Sequence, residues 1–322
     1  MQTLGIGKIR GLQQISTQNG KIAVLALDHR NNLRNFLNPS NPESVTEVEM
    51  SLFKQDIVSG IRDSATAILL DPEFGGAQCI ASKSLNGNTG LLVALESTGY
   101  SGSPDLRFSR ELPDWNVEKA CRMGANAVKL LVYFHPEARN SEKIKELVSK
   151  VAKDCETWQI PFFLETLSYS IDPMVPKLPT DKRSEVIIET ARQLTFPGVD
   201  ILKTEFPLDI KGDMDEIKWG KACEALSKAS NAPWVLLSAS VDYNLFLKQT
   251  LIACQAGATG VAAGRAVWKE AITLTGDARN KYIETIVYSR MEKLTELCDK
   301  HGRPWTDFYS AGPINSHWFS TF

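Results

Sequence analysis

The sequence predicts a single α/β domain, residues 1–322, folded as a (β/α)8 TIM barrel. Eight short apolar runs alternate with longer amphipathic segments along the whole chain. The runs are too short and too uniformly apolar for strands with one solvated face, so they indicate parallel strands covered on both faces. A chain of 322 residues also suits one barrel of roughly 250 residues with additions.

The predicted strands lie at 22–28, 65–71, 91–96, 127–134, 161–167, 199–206, 234–241 and 259–263. Helix-like stretches, with apolar residues three and four apart, lie at 43–61, 116–123, 141–158, 181–194, 215–230 and 242–255. A short helix is expected within 77–85, and a last helix at 277–301, ended by Gly302. Asn116, Ser141 and Asp242 are predicted N-caps, and Gly124 and Gly257 are predicted C-terminal stops.

A doubly wound open sheet is the alternative architecture. It usually has fewer strands and often a glycine-rich phosphate turn, whereas the chain contains neither GxGxxG nor GxxxxGK[ST]. About residues 1–20 are expected to form an N-terminal extension, and about residues 303–322 an aromatic tail. The tail carries Trp318, Phe319 and Phe322, which are expected either to cover the barrel or to pack on another subunit of a dimer or tetramer.

Composition excludes several classes of protein. A net charge of −2 provides no basic field for nucleic acid. No apolar stretch reaches about 18 residues, which disfavours a membrane span, and the N-terminus has no secretory apolar region. The six cysteines are scattered, without CxxC or histidine pairs at metal spacing, so neither disulfides nor a zinc site are expected. We therefore expect a cytoplasmic enzyme.

Lys203 is the most informative residue, because it interrupts an otherwise apolar predicted strand. Burial disfavours the charged form of an amine, so such a lysine can supply a free nucleophile near neutrality and form a Schiff base with a ketone. Glu165 lies in the preceding strand, where a carboxylate near the amine can move protons. A structural ion pair is the alternative role for Lys203.

Further polar residues fall near the C-terminal ends of the strands, where barrels place their active sites. They include Asp28 and Arg30 after the first strand, Glu96 at the end of the third, and Lys129 within the fourth. Lys129 has a structural alternative, in which it only neutralises Glu165 or Asp28. Asp71 is a candidate cap of the next turn, Glu96 a candidate rim ion-pair partner, and Glu205 either a site residue or a rim charge.

Histidine catalysis has little support in the sequence. His29 adjoins Asp28, and strand alternation would send its side chain to the opposite side. His135, His301 and His317 are expected at the surface.

An anion site is expected after the last two strands. Gly264 and Arg265 follow the eighth strand, and Ser238 and Ser240 lie in the seventh. Glycine lets the backbone approach an anion, and arginine supplies a forked donor. Loops at this position of a barrel often bind phosphate.

These segments resemble the class I tagatose-1,6-bisphosphate aldolase family, from about residue 20 to 300. The matching motifs are LALDHR (25–30), LLDPEFG (69–75), STGY (97–100), AVKLLVYF (127–134), PFFLE (161–165), LKTEFP (202–207), LLSAS (236–240) and GRAVW (264–268). The related sulfofructose-phosphate aldolases share some of these motifs. The Asp-Pro-Glu and Thr-Gly-Tyr stretches are closer to the tagatose-bisphosphate branch.

The resemblance implies a lyase of carbohydrate metabolism, such as lactose and galactose catabolism, that needs no metal or other cofactor. It would cleave D-tagatose 1,6-bisphosphate to dihydroxyacetone phosphate and glyceraldehyde 3-phosphate. Lys203 would form the Schiff base and Glu165 would act as acid and base, with Asp28 and Lys129 as partners. Arg265, Ser238 and Ser240 would bind one phosphate with the backbone near Gly264, and Arg30 the other.

His29, Ser240 and Thr204 depart from residues usual in the family, which are Gln, Gly and Val. These departures concern the identity of the sugar more than the chemistry. A 6-deoxy-6-sulfofructose 1-phosphate or another ketose phosphate is therefore the alternative substrate. The sequence also leaves open a regulatory protein that senses sugar phosphates, and an isomerase or decarboxylase in which Lys203 acts only through its charge.

Overall fold

Eight parallel strands close into a barrel, which confirms the predicted fold. The computed structural model describes residues 1–61, 63–175, 177–209 and 214–320. We number the barrel strands β1 (Ile22–Ala26), β2 (Ala67–Leu70), β3 (Gly90–Ala94), β4 (Ala127–Tyr133), β5 (Phe162–Leu167), β6 (Ile201–Thr204), β7 (Trp234–Leu237) and β8 (Gly260–Ala263). They pair in chain order, and β8 closes on β1. At this junction a Cβ on Gly260 would lie 1.7 Å from the carbonyl oxygen of Ile22, so only glycine allows the close approach.

Helices surround the barrel. The α-helices span Ile6–Gln14, Asn31–Leu37, Glu47–Ile61, Gly76–Ala81, Val117–Met123, Ser141–Thr157, Thr180–Leu194, Glu216–Ala229, Tyr243–Gln255, Arg265–Trp268, Gly276–Tyr282 and Tyr288–His301. A π-helical segment, Ile283–Val287, joins the last two into the long closing helix that was predicted. Two short strands outside the barrel, Ser101–Ser103 and Leu106–Phe108, form a hairpin.

Most predicted helix ends are confirmed. The side chains of Asn116 and Asp242 accept backbone hydrogen bonds as N-caps, and Gly124 ends its helix with φ of 95°. Ser141 was wrongly predicted as an N-cap, because the preceding Asn140 occupies that position. The Asn140 side chain does not cap the helix, since its amide donates to the carbonyl oxygen of Arg107 at 2.6 Å.

The barrel interior is apolar at the N-terminal ends of its strands. Inward side chains such as Val24, Phe163 and Val235 form one buried cluster. Leu12 of the first helix and Trp305 near the C-terminus join the same cluster. The interior is therefore closed at this end, which we call the floor, and it opens only at the other end.

The two chain ends form the floor together. Gln2–Leu4 pairs in parallel with Tyr309–Ala311. Lys8 of the first helix is fully buried and lies 2.9 Å from a carboxylate oxygen of Asp200, and the Tyr309 hydroxyl donates to the Asp200 carbonyl oxygen at 2.9 Å. These contacts tie both chain ends to the segment that leads into β6.

The remainder of the tail is more exposed. Trp318 and Phe319 are 38% and 65% exposed, and Phe322 lies outside the described residues.

No helix of the described ranges combines the length and apolar character needed to cross a lipid bilayer.

Candidate active site

Side chains two residues apart on a strand point to the same face, and on the interior face charged residues follow apolar ones towards the open end. In β5 Glu165 follows the buried Phe163, and in β6 Lys203 follows the buried Ile201. Glu165 and Lys203 are paired residues in the register of these two neighbouring strands. Their side chains therefore leave the sheet side by side, on the interior face and towards the open end.

Lys203 and Glu165 form a close, buried pair. The Nζ atom of Lys203 lies 2.9 Å from Oε2 of Glu165. Lys203 is only 4% exposed and Glu165 7% exposed. The amine thus meets a proton acceptor at hydrogen-bond distance in a site that water reaches only from the open end of the barrel.

Lys129 connects the carboxylates of the site. Its Nζ atom lies 2.6 Å from Asp28, 2.5 Å from Glu96 and 3.1 Å from Glu165. The Lys129 side chain is fully buried. One ammonium group therefore holds three carboxylates together at the ends of four strands, including both residues that it was predicted to neutralise.

This arrangement sets the charge of each group. Burial alone would lower the pKa of Lys129, but the charges of Asp28, Glu165 and Glu96 outweigh it and raise that pKa well above its ordinary value. Burial would raise the pKa values of Asp28 and Glu165, but Lys129 and Lys203 outweigh burial and lower both. At neutral pH Glu165 is accordingly a carboxylate that can accept a proton, whereas Lys129 remains a cation.

Arg30 lines the pocket but is occupied by acidic partners. Its Nη1 lies 2.7 Å from Glu73, and its Nη2 donates to the Glu96 carbonyl oxygen at 2.6 Å and lies 3.6 Å from the Glu96 carboxylate. The predicted contact between Arg30 and a second phosphate stays a prediction, in competition with these partners.

The predicted anion-binding residues meet on one side of the pocket. The Gly264 backbone N–H donates to Ser238 Oγ at 3.2 Å, and Ser240 and Arg265 line the same wall. Ser240 has φ of 62°, a left-handed conformation in which glycine is the least strained residue. The Arg265 guanidinium lies 5.2 Å from the ring centre of Phe36, and within the described residues it has neither an ion pair nor a hydrogen bond. It is a half-buried cation free to receive an anion.

His29 was wrongly predicted to point away from Asp28. It lines the same pocket as Asp28, because β1 ends at Ala26 and strand alternation does not extend to residues 28 and 29. Its ring contacts Trp268 edge-on at 5.3 Å, and its buried Nδ1 has no hydrogen-bond partner in the described part of the chain. Burial lowers the pKa of His29 to about 4, so the imidazole is neutral at pH 7.

His135 was also predicted wrongly as a surface residue. It is only 7% exposed, and its Nδ1 accepts the backbone N–H of Glu137 at 3.2 Å. It packs beside Tyr169, outside the pocket that contains Lys203.

The sequence left the roles of Asp71 and Glu205 open, and both carboxylates have partners in the structure. Asp71 accepts the backbone N–H groups of Glu73 and Phe74 and pairs with Lys54, so it caps the turn after β2. Glu205 lies at the pocket rim and pairs with Arg183 at 2.8 Å, while it also accepts the Ser168 backbone N–H at 2.7 Å.

The pocket extends further than the sequence indicated. It encloses about 940 Å³, including its open mouth, and reaches Thr98, Gly99 and Tyr133 beyond the predicted residues. Glu96 was noted as a rim charge but not assigned to the site. Its position at the end of an apolar run was the available signal, whereas its contact with Lys129, 33 positions later, was invisible.

Comparisons with known proteins find related aldolases. The sequence pattern of the "DeoC/LacD family aldolase" matches residues 22–270. The tagatose 1,6-diphosphate aldolase of Lactococcus lactis subsp. lactis is 30% identical, over 93% of this chain and 98% of that protein. The enzyme of the same name from Staphylococcus aureus (strain MSSA476) is also 30% identical, over 92% of this chain and 97% of that protein.

Solved structures support the fold. An archaeal fructose 1,6-bisphosphate aldolase has a TM-score of 0.60 at 21% identity, covering 90% of this chain and 98% of its own. The fructose-bisphosphate aldolase of Plasmodium falciparum has a TM-score of 0.67 at 12% identity, covering 94% of this chain and 98% of its own. The family match spans all eight barrel strands and confirms the predicted lyase. The chain therefore belongs to the DeoC/LacD family of aldolases.

Proposed function

We propose that this aldolase works through a Schiff base on Lys203 and cleaves a ketose bisphosphate, D-tagatose 1,6-bisphosphate being the first candidate. The observation that carries the proposal is the buried Lys203 amine, 2.9 Å from the Glu165 carboxylate, in a pocket that also contains the uncommitted Arg265. The two relatives named for tagatose 1,6-diphosphate support the choice of sugar. The expected setting is cytoplasmic carbohydrate metabolism.

The reaction begins with imine formation. Lys203 passes a proton to Glu165 and attacks the C2 ketone; that proton is returned to the carbinolamine hydroxyl, which leaves as water, and a protonated imine forms. Glu165, assisted by Asp28, then takes the proton of the C4 hydroxyl. The C3–C4 bond breaks, its electron pair moves to C3 to give an enamine, and the aldehyde departs. Protonation of C3 and hydrolysis release dihydroxyacetone phosphate and restore the amine.

The remaining pocket residues hold the substrate. Lys129 is a permanent cation and donates to substrate hydroxyls, which positions C3 and C4 beside Glu165. Arg265, Ser238 and Ser240, with the backbone at Gly264, bind the phosphate next to the ketone. Because the imine withdraws the electrons, the proposed cleavage involves no metal or other cofactor.

Borohydride trapping tests the proposal. The protein is incubated with dihydroxyacetone phosphate, reduced, digested and analysed by mass spectrometry. We expect the mass of the reduced adduct on Lys203 alone, and none in Lys203→Met. Labelling of another residue, or no labelling beside demonstrated turnover, would overturn the Schiff-base role and favour a lysine that acts only through its charge.

A substrate panel identifies the sugar. Turnover of D-tagatose 1,6-bisphosphate, 6-deoxy-6-sulfofructose 1-phosphate and ketose 1-phosphates is compared in the presence of EDTA. We expect the bisphosphate to have the highest kcat/KM. A higher value for the sulfonate would assign it as the substrate instead, and absence of turnover for all three would favour a regulatory protein.

A further inference from the structure

A hairpin outside the barrel brings an arginine to the edge of the pocket. The strands Ser101–Ser103 and Leu106–Phe108 present Arg107 to three tyrosines. Its guanidinium carbon lies 4.6 Å from the ring centre of Tyr100, 5.3 Å from that of Tyr133 and 5.0 Å from that of Tyr169. Tyr133 ends β4 and lines the pocket. The Arg107 guanidinium therefore packs against one side chain of the pocket lining, although Arg107 itself is not a lining residue.

Among the residues that the structure describes, no carboxylate neutralises the charge of Arg107. Its Nε donates to the Pro104 carbonyl oxygen at 2.9 Å. Across the described ranges, its Nη1 and Nη2 atoms have neither a hydrogen-bond acceptor nor a carboxylate at ion-pair distance. Arg30 differs, because Glu73 and Glu96 occupy it. Aromatic faces orient a guanidinium and leave its terminal N–H groups free.

Arg107 and Arg265 lie on opposite sides of the barrel mouth. Arg107 adjoins the end of β4, whereas Arg265 follows β8. Strands four positions apart in a ring of eight face each other across the barrel. Lys203 in β6 lies between the two sides. This arrangement suits an elongated substrate with an anionic group at each end.

We propose that Arg107 binds a second terminal oxyanion, a phosphate or a sulfonate, at the end of the substrate that becomes the aldehyde. This inference rests on the proposed function, and it assigns to Arg107 the contact first expected of Arg30. The rings of Tyr133 and Tyr100 pack against the guanidinium and orient it, and its Nη atoms donate two parallel hydrogen bonds to the oxyanion. Arg107 thereby distinguishes doubly from singly charged ketoses.

Kinetics of variants test the assignment. Arg107→Gln is compared with Arg107→Lys, and with Arg110→Gln as a matched control, since Arg110 is an exposed residue just beyond the same hairpin. We expect Arg107→Gln to raise KM about 10- to 100-fold for substrates with two anionic groups, as loss of a charged hydrogen bond implies. For a ketose 1-phosphate the rise stays below about threefold. Arg107→Lys should recover part of the loss, and Arg110→Gln should raise KM for neither class of substrate.

Comparison of the two doubly charged substrates distinguishes a phosphate from a sulfonate. A KM effect on the bisphosphate assigns a phosphate, and an effect on the sulfonated ketose assigns a sulfonate; either supports the inference. A rise of equal size for all substrates would show that Arg107 only braces the hairpin, and an unchanged KM for both doubly charged ketoses would also overturn the inference.

A binding measurement is independent of the Schiff base. A hexitol 1,6-bisphosphate lacks the ketone, so its affinity by calorimetry does not depend on Lys203 chemistry. We expect Arg107→Gln to weaken this ligand about 10- to 100-fold and a hexitol 1-phosphate far less. Failure of borohydride trapping would then affect the proposed function alone, whereas unchanged hexitol bisphosphate affinity, or none in the unmodified protein, would remove the role of Arg107.

Discussion

At the scale of single residues, the site depends on groups whose charges are set by their neighbours. Lys129 is held positive by three carboxylates, and Glu165 is held negative by two lysines. Burial of unpaired charges would be expensive, so each group requires the others. Proton acceptance by Glu165 is consequently a property of the cluster and not of one side chain.

Replacement of this proton acceptor separates binding from bond cleavage. Glu165→Gln keeps the size of the side chain but cannot take the C4 hydroxyl proton. We expect kcat to fall about 10²- to 10⁴-fold, while borohydride with dihydroxyacetone phosphate still labels Lys203, if more slowly. Steady-state kinetics with Glu142→Gln as an exposed control checks this. A kcat close to that of the unmodified protein would remove Glu165 from the proton-transfer step.

His29 makes stability depend on pH. Its folded pKa of about 4 lies below the ordinary value of 6.5, so between these values the unfolded chain binds the proton and the folded chain does not. The contribution of neutral His29 to the free energy of unfolding is therefore complete above about pH 6.5 and is lost as the pH falls towards 4. After allowance for partial exposure, the loss is roughly 2 kcal/mol.

The variant His29→Gln lacks this titration. Urea unfolding of both proteins is measured from about pH 7.5 to about pH 4.5, so that the other groups cancel in the difference. We expect the stability of the unmodified protein relative to the variant to decline as the pH is lowered. A difference that does not vary with pH would contradict the buried, neutral imidazole.

At the scale of elements, the strand ends and the connecting segments contribute different residues to the pocket and its edge. The strands end in a charged layer, whereas the hairpin after β3 contributes Arg107 and the turn after β8 contributes Arg265, neither of which has an ion-pair partner among the described residues. The first helix lies at the opposite end and contributes Lys8 to the floor. Stability and chemistry are thus concentrated at opposite ends of the barrel, as is usual for this architecture.

The floor gives an element-scale prediction. Lys8→Met leaves the buried Asp200 carboxylate without its partner 2.9 Å away. We expect a loss of about 3 to 5 kcal/mol in the free energy of unfolding, measured by denaturant titration. Lys182→Met breaks the exposed pair with Glu185 and should cost less than about 1 kcal/mol. Equal losses in the two variants would mean that the Lys8 pair is effectively solvated.

At the scale of the whole molecule, an N-terminal segment and a segment near the C-terminus meet beneath the barrel. The N-terminal strand pairs with Tyr309–Ala311, and Trp305 and Tyr309 pack into the interior cluster. The last described residues, which include Trp318 and Phe319, are less buried. Residues 314–320 therefore contribute less to the barrel than residues 303–311.

Two truncations test this division. Removal of residues 314–322 should shift the melting temperature by no more than about 4 °C, since the described residues 314–320 cover little of the core. Removal of residues 303–322 also removes Trp305 and Tyr309 and should lower it by roughly 10 °C or more. Light scattering on the unmodified protein and on the shorter truncation also shows whether Trp318 and Phe319 join subunits. Similar melting temperatures for the two truncations would contradict the role of the floor.

The barrel and its principal charged residues could be predicted from local sequence patterns. Short apolar runs and the two-residue alternation are local properties, and the C-terminal ends of parallel strands always meet at one rim. Lys203, Glu165, Asp28 and Lys129 could therefore be assigned to one pocket without coordinates. The caps at Asn116 and Asp242 also followed from local residue types, whereas Ser141 did not, because the Asn140 side chain at the capping position bonds to a distant loop.

Which charges neutralise one another became visible only in the folded chain. Arg30 and Arg107 are the same residue type, yet Arg30 pairs with carboxylates, whereas Arg107 packs against tyrosine rings and its terminal nitrogens have no partner in the described ranges. His29 entered the pocket because β1 ended before it. Such outcomes depend on distances of a few ångströms between segments far apart in the chain, and local patterns of polarity do not contain those distances.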